Sequence, residues 1–283
     1  MTNYKKIIIL GAPRSGTNIL RDTLTSSSGV TTWPCDEINL LWRYGNALHP
    51  DDEFSKKLVK IRTKNYVNRS FDRLAERSGA HAVVEKTCAN CLRPEFVENI
   101  LDEPTYVYIY RNGLDVVGSA KIRWRARVDL KYLVAKLRFV PIMDMPIYFY
   151  KFLKNRYVRL VAKDRAVGTW GPIFKGMYEL KKNASLNVVC AVQWIKCCEK
   201  AEEFGNHIGP ERFYKLSYED FVTKPMDELK KLLKFLDISL TDVEIQTAIS
   251  NISNKSIGKG QGNLSPNEIE ELLSLSPRFK LHP

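Results

Sequence analysis

The sequence predicts an α/β fold of P-loop-like, three-layer form, with a central sheet of four to five mainly parallel strands flanked by helices. Three observations predict it. Short runs rich in β-branched and aromatic residues (Ile7–Leu10, Ala82–Val84, Thr105–Tyr110, Arg212–Leu216) alternate with amphipathic stretches long enough for helices. Alternation of this kind argues for parallel strands joined by crossover helices and covered on both faces. The first strand also runs into a glycine-bounded loop, Gly11 to Gly16, that opens a helix. Finally, 283 residues of which 44% are hydrophobic can fill the core of one large domain. Residues 1–283 read as a single domain with a helical basic and aromatic insertion at about 128–178.

Taken in order, Ile7 to Leu10 is an apolar, largely β-branched run that suits a strand buried on both faces. Asn18 to Leu24 places Ile19, Leu20 and Leu24 on one side of a first helix. Ser26 to Glu37 reads as a loop that turns into Ile38-Asn-Leu-Leu-Trp42, and Asp51 to Arg77 as a charged amphipathic helical pair. Val83-Val84 forms a second short strand ending in Glu85-Lys86-Thr87, and Pro94 opens a helix at its first turn. Thr105 to Tyr110 is the clearest strand in the chain. Gly113 to Arg127 returns to helix. From Val128 to Tyr178 cations and aromatics dominate, as in Arg138-Phe139, Tyr148-Phe-Tyr-Lys-Phe152 and Arg156-Tyr-Val-Arg159. A helix follows from about Ser185 to Phe204, then the strand at Arg212–Leu216 and a lysine-rich helix from Met226 to Leu236. A glycine-rich loop, Ile257 to Gly262, precedes Ser265-Pro-Asn-Glu268, which has capping-box chemistry.

The net charge of +12 calls for anionic partners: a nucleotide, an acidic glycan, nucleic acid or a membrane surface. No segment reads as a membrane span and Met1 to Lys6 has no signal-peptide core, so a cytoplasmic location is expected. The six cysteines and four histidines give no zinc pattern. Cys88-Ala-Asn-Cys91 leaves a redox pair open, and Cys197-Cys198 reads as helix packing.

Chemistry concentrates in five short segments. Gly11-x-x-x-x-Gly16 has P-loop spacing, but Thr17-Asn18 stand where an NTPase needs lysine and serine or threonine. In their place are Arg14, whose planar fork suits a tetrahedral oxyanion, and the hydroxyls of Ser15 and Thr17. The free N–H groups and positive dipole end of the helix that follows point at the same loop. The second segment is Tyr110-Arg111-Asn-Gly-Leu-Asp115-Val-Val-Gly-Ser119. Its strand ends in a cation where an NTPase commonly places a magnesium-binding aspartate. Arg123 lies four residues beyond Ser119 on the same helical face. The others are Glu85-Lys86-Thr87-Cys88-Ala-Asn90, Tyr218-Glu-Asp220 and Ser256-Ile-Gly258-Lys259-Gly260.

Pro13-Arg14-Ser15-Gly16-Thr17 after a buried strand resembles the 5′-phosphosulfate loop of sulfotransferases that use 3′-phosphoadenosine 5′-phosphosulfate (PAPS). The resemblance implies that Arg14, Ser15, Gly16, Thr17 and Asn18 hold the phosphosulfate. The Arg111 to Ser119 segment is similar to the one that grips the cofactor's 3′-phosphate through its arginine and serine, with Arg123 adding to that clamp. Tyr218 corresponds to a tyrosine near the adenine. Glu85 to Asn90 resembles the Glu-Lys-Thr-Pro-Ala-Asn block of bacterial and carbohydrate-type members, with Cys88 replacing proline and Lys86 in the place of the leaving-group lysine. The histidine base of the phenol and steroid enzymes has no counterpart. Glu37, in a setting similar to the glutamate region of tyrosylprotein and some glycan sulfotransferases, is the base the resemblance implies. Of the family's cofactor-closing loop only Lys259 carries over, since Gly258 stands where cytosolic members have arginine.

The expected reaction is therefore sulfuryl transfer from PAPS to a hydroxyl or amine, releasing adenosine 3′,5′-bisphosphate, with no metal. The expected acceptor is a carbohydrate or a lipid-linked glycan; peripheral membrane contact is compatible with the charge, and no nucleic-acid partner is expected. Two rivals stand beside it, a P-loop kinase or NTPase and a basic nucleic-acid- or membrane-binding protein working through residues 121–160. The missing lysine–serine/threonine pair counts against the first, and the lack of a nucleic-acid module signature against the second. A luminal enzyme of similar chemistry, trimmed of its anchor, is the alternative to a cytoplasmic one.

Overall fold

The computed structural model describes residues 4–126 and 169–281. Its strands β1 (Lys5–Leu10), β2 (Val30–Thr31), β3 (Ala82–Lys86), β4 (Thr105–Tyr110) and β5 (Phe213–Ser217) form one sheet in the order β2-β3-β1-β4-β5. Every pairing is parallel, as the alternating pattern predicts. The edge strand β2 falls within the stretch read from sequence as a loop. Two residues, paired only with Ala82 and Val83, are too few to show an alternation.

Helices α1 (Thr17–Thr25), α2 (Asn39–Trp42), α3 (Ile61–Ser78), α4 (Pro94–Ile100), α5 (Gly113–Arg125) and α6 (Met177–Asn183) precede the long α7 (Leu186–Ile208). After β5 come α8 (Tyr218–Thr223), α9 (Pro225–Leu236), α10 (Asp242–Ile249), α11 (Pro266–Leu275) and α12 (Arg278–Leu281). The expected capping box is present at Ser265 and Glu268.

Successive strand residues feed two cores. Ile8, Leu10, Val83, Tyr106 and Tyr108 join Phe71, Phe96 and Trp194 on one face. Ile7, Ile9, Val84, Val107 and Ile109 join Leu20, Leu24, Phe221 and Leu232 on the other. Burial on both faces is why these strands read as unbroken apolar runs.

The strand order positions the site. From β1 the chain moves to one side for β2 and β3, then to the other for β4 and β5. The crevice outside the carboxyl ends of β1 and β4 is thus a topological switch point, where ligands bind in open parallel sheets. Among the described residues, no helix is long and apolar enough to cross a membrane.

Two expectations are corrected. Asp51 to Arg77 is not a helical pair: a single 3₁₀ turn, Lys56–Leu58, precedes α3. The reason is Asp52, whose backbone N–H donates to Ile173 O at 2.7 Å and whose carboxylate accepts from Ile173 N at 2.9 Å and Arg43 Nη1 at 2.7 Å. Those bonds commit the segment to an anchored loop. The insertion expected at about 128–178 lies mostly outside the described residues, Arg138 and Arg156 included. Its end from Gly171 to Lys175 is not helical. Gln193 Nε2 on α7 donates to the carbonyls of Trp170 and Pro172 at 3.0 and 2.8 Å, and Phe174 is buried.

Asp52 also lies 3.4 Å from Arg93 Nη1, and the Phe54 ring packs against both guanidinium groups. Burial alone would raise the Asp52 pKa, but Arg93, Arg43 and the Ile173 N–H hold it below the ordinary aspartate value of 3.8. Its stabilising contribution is therefore present at neutral pH and is lost as pH falls below that ordinary value and through the depressed one. Asp52→Ala leaves two buried arginines without their anion and should cost about 3–5 kcal/mol, read as a lower urea midpoint at pH 7.

Candidate active site

The loop after β1 is shaped by close contacts. A Cβ on Gly11 would lie 2.5 Å from the Thr17 methyl and 2.8 Å from Ile109 O. Gly16 has φ +90°, and a Cβ there would meet the Tyr218 ring at 2.3 Å. Arg14 also takes a left-handed conformation, φ 75°. Ser15 Oγ is buried with no hydrogen-bond partner among the described residues. An orphaned hydroxyl of that kind costs about 1–3 kcal/mol unless a ligand satisfies it, and here it sits at the N-terminus of α1. Asn18 is exposed in the first turn of the same helix.

One strand away, β4 delivers Arg111. Its Nη1 donates to Arg14 O at 3.1 Å, its Nη2 to Asp115 Oδ2 at 3.1 Å and to the Ser256 carbonyl, and its guanidinium stacks 4.3 Å above the Tyr218 ring. Nε is buried and has no partner among the described residues. Arg14 reaches across to the same place, donating from Nε to Ser119 Oγ at 2.9 Å. Burial first, then the nearby charges of Arg111 and Arg123, pull the Arg14 pKa below the ordinary arginine value. Arg111 and Arg123 thus lie close enough to Arg14 for their charges to act on it, a distribution that calls for an anion.

Sequence reasoning passed over what holds this half of the site together. Asp115 accepts from Gly258 N at 2.7 Å and Gln261 N at 2.9 Å, so the buried Arg111–Asp115 pair also pins the C-terminal loop. That loop lies so close to α5 that a Cβ on Gly118 would fall 1.9 Å from Gly260 O. Gly118→Ala should therefore lift the loop off α5, detectable as faster proteolysis around residues 254–263. Lys259 is exposed on the loop. Glu219 accepts the Asn112 N–H at 3.0 Å, which ties the end of β5 to the end of β4. Tyr218 is only 1% exposed, wedged between Gly16 and Arg111, and so offers little ring surface for an adenine to stack on. The regular Arg-Asn-x-x-Asp spacing was the available signal for Asp115; nothing in the sequence marked its partners on residues 258 and 261.

On the other side of the loop, β3 delivers Lys86, whose side chain is 3% exposed and lies 3.4 Å from Glu37 Oε1. The same oxygen accepts from Cys88 N at 3.4 Å. Burial works against the Lys86 charge, but Cys88 and Glu37 outweigh it and the pKa stands above the ordinary lysine value. Glu37 does not cap α2, and Lys86 pairs with Glu37 rather than with its neighbour Glu85. Asp36 is engaged by Arg21 at 3.4 Å. Cys88 Sγ sits 3.8 Å from Thr17 Oγ1, and Cys91 Sγ accepts the Gly11 N–H at 2.9 Å. Both cysteines are buried free thiols that support the loop from below, and burial together with Glu37 pushes the Cys88 pKa well up.

Glu85 points to the opposite face of β3. Burial pushes its carboxyl up to about 7, against the charge-stabilising effect of the Thr87 hydroxyl and Arg93. A folded-state pKa above the unfolded one means that stability falls as pH rises from about 4.5 to about 7. Per unit this is about 1.4 kcal/mol, or about 3 kcal/mol across that window. Glu85→Gln should flatten this part of the stability–pH curve in urea titrations.

The phosphate loop thus lies between an arginine cluster at the end of β4 and a Glu–Lys pair at the end of β3. The chain matches the sulfotransferase domain model over residues 4–270. It belongs to the sulfotransferase family. Among solved structures, the sulfotransferase resembles the sulfotransferase domain of the curacin biosynthetic pathway, with a TM-score of 0.56 at 16% identity over 96% of this chain and 97% of that one. A sulfotransferase from Alicyclobacillus acidocaldarius gives 0.55 at 13% identity, covering 99% and 96% of the two chains. The sulfotransferase domain of the Synechococcus PCC 7002 olefin synthase gives 0.54 at 13%, covering 97% and 96%. These likenesses share the fold. No curated protein matches the sequence. The protein is accordingly a transferase, and PAPS is the family's general donor. The orphaned Ser15 hydroxyl, the buried Arg111 Nε and the three neighbouring arginines fit a donor with two separate anionic groups.

Proposed function

We propose that this sulfotransferase transfers a sulfuryl group from PAPS to a hydroxyl of a carbohydrate or glycolipid acceptor, an amine being the variant, with Glu37 as base and no metal. The observation that carries the roles is the Glu37–Lys86 contact beside the loop. When bound, PAPS supplies an activated sulfuryl group with a phosphate as its leaving group. Arg14, Ser15, Gly16, Thr17 and Asn18 would hold the phosphosulfate end. Arg111, Ser119 and Arg123 would take the 3′-phosphate, with Tyr218 backing Arg111 and Lys259 above them. Lys86 would meet the charge that develops on the leaving oxygen, and with Arg14 and the α1 N–H groups it would do the work a metal does in an NTPase. Glu37 accepts the acceptor's proton, and its link to Lys86 keeps base and leaving-group cation side by side.

The carbohydrate acceptor rests on the cations and aromatics of residues 128–178. The net charge of +12 also suits acidic lipid headgroups around such an acceptor. Radiolabelled PAPS offered with a panel of oligosaccharides, glycolipids, phenols and amines tests the reading. Label should enter a glycan, and transfer should survive EDTA. Label in phenols alone would overturn the acceptor class, and loss of transfer with EDTA the metal-free chemistry. Charge reversal at Arg138 and Arg156 should raise the KM for the glycan and leave the PAPS KM unchanged.

A further inference from the structure

Thr87 stands one residue beyond Lys86, and its hydroxyl makes two bonds. It accepts the Ile38 N–H at 3.2 Å and donates to Glu85 Oε1 at 2.5 Å. A hydroxyl has one proton to give, so with Ile38 donating, that proton goes to Glu85. Ile38 directly follows Glu37. A second branch starts at the other oxygen of the same carboxyl. Glu85 Oε2 accepts from Asn90 Nδ2 at 2.9 Å, Asn90 Oδ1 accepts from Arg93 Nε at 2.9 Å, and Arg93 Nη2 donates to Asn39 Oδ1 at 2.5 Å. The two residues after Glu37 are therefore held by two hydrogen-bond chains that both end on Glu85, which is 0% exposed.

Resting on the assignment of Glu37 as base, we propose that Glu85 is the positioning residue for Glu37, acting through Thr87 on one branch and Asn90 and Arg93 on the other. Glu37 itself needs such support. Its carboxylate bonds to Lys86 and Cys88 are long, 3.4 Å each, and its side chain is 25% exposed. Bonds of that length orient weakly, so the adjoining backbone must supply the precision. A displacement of about 1 Å in a reacting group can cost about a hundredfold in rate. Burying a carboxyl and its partners is also costly compared with an apolar core, and the cost here falls directly beneath the base.

The test is a double-mutant cycle in the full chain, with PAPS as donor and the best glycan or phenol from the acceptor panel. Thr87→Val keeps the side-chain shape and removes the hydroxyl; Glu85→Gln keeps the shape and replaces one of the two acceptor oxygens by an NH2 donor, facing either Asn90 or Thr87. Each should lower kcat by about tenfold or more, with the affinity for adenosine 3′,5′-bisphosphate unchanged. Thr87→Ser should restore kcat. Amide exchange in a peptide spanning residues 36–42 should quicken in Thr87→Val and not in Thr87→Ser. On a Glu37→Gln background, Thr87→Val should add no further loss, because no base is left to position. A full additive loss would overturn the proposal. So would wild-type kcat in Thr87→Val while Glu37→Gln is inactive. Turnover retained in Glu37→Gln would instead remove the base assignment, and this role with it. If Thr87→Val does not fold, Glu85→Gln carries the same cycle.

Discussion

Glu37→Gln is expected to lower kcat by about 10²–10⁴, the usual cost of losing a general base, while adenosine 3′,5′-bisphosphate binds as it does to wild type. The amide keeps the size of the side chain and can still accept from Lys86 and Cys88 N, which now stand 3.4 Å from Oε1. What it loses is the capacity to take a proton. The neighbouring carboxylates are poor substitutes: Asp36 is engaged by Arg21, and Glu85 is fully buried on the other face of β3. A Glu37→Gln enzyme within a few-fold of wild type would place the base elsewhere.

Arg111→Ala should have an effect of a different kind, on stability and binding together. Arg111 is paired with Asp115, whose side chain is 2% exposed and which also receives the N–H groups of Gly258 and Gln261. Removing the cation leaves that carboxylate buried without its counter-charge, at a cost of about 3–5 kcal/mol. The loop that Asp115 pins should loosen, and adenosine bisphosphate affinity should fall with it. Urea denaturation and a binding titration on the same preparation check both halves. Unchanged stability would mean that water replaces the guanidinium. Arg14→Ala is the cleaner probe of binding. Arg14 is a partly exposed loop residue whose side chain spans to Ser119. Its loss removes charged hydrogen bonds worth about 1.5–3 kcal/mol, or about one to two orders of magnitude in affinity.

The sheet was legible because each main strand is apolar on both faces and the strands alternate with amphipathic helices. The loop after β1 and the arginine ending β4 were legible because local spacing marks them: a glycine pair closing a loop, and a cation ending a strand. Contacts made at long range were not. Whether Lys86 would pair with Glu85 or Glu37 depends on a loop that crosses from residue 37 to the end of β3, and no sequence interval records that crossing. Tyr218 was read as an adenine neighbour from its motif, yet its ring is taken up by Gly16 and Arg111, because a glycine 202 positions earlier leaves room for it. Asp52 misled in the same way. The stretch from Asp51 read as the first of a helical pair, whereas the partner that anchors Asp52, Ile173, lies 121 residues away.

The most direct measurement is a calorimetric titration of adenosine 3′,5′-bisphosphate against magnesium ATP, on wild type and on Arg14→Ala. A site built on Arg14, Ser15 and Arg111 predicts that the bisphosphate binds wild type more tightly than magnesium ATP does, and that Arg14→Ala weakens it by about one to two orders of magnitude. Preference for magnesium ATP, or bisphosphate affinity untouched by Arg14→Ala, would contradict it.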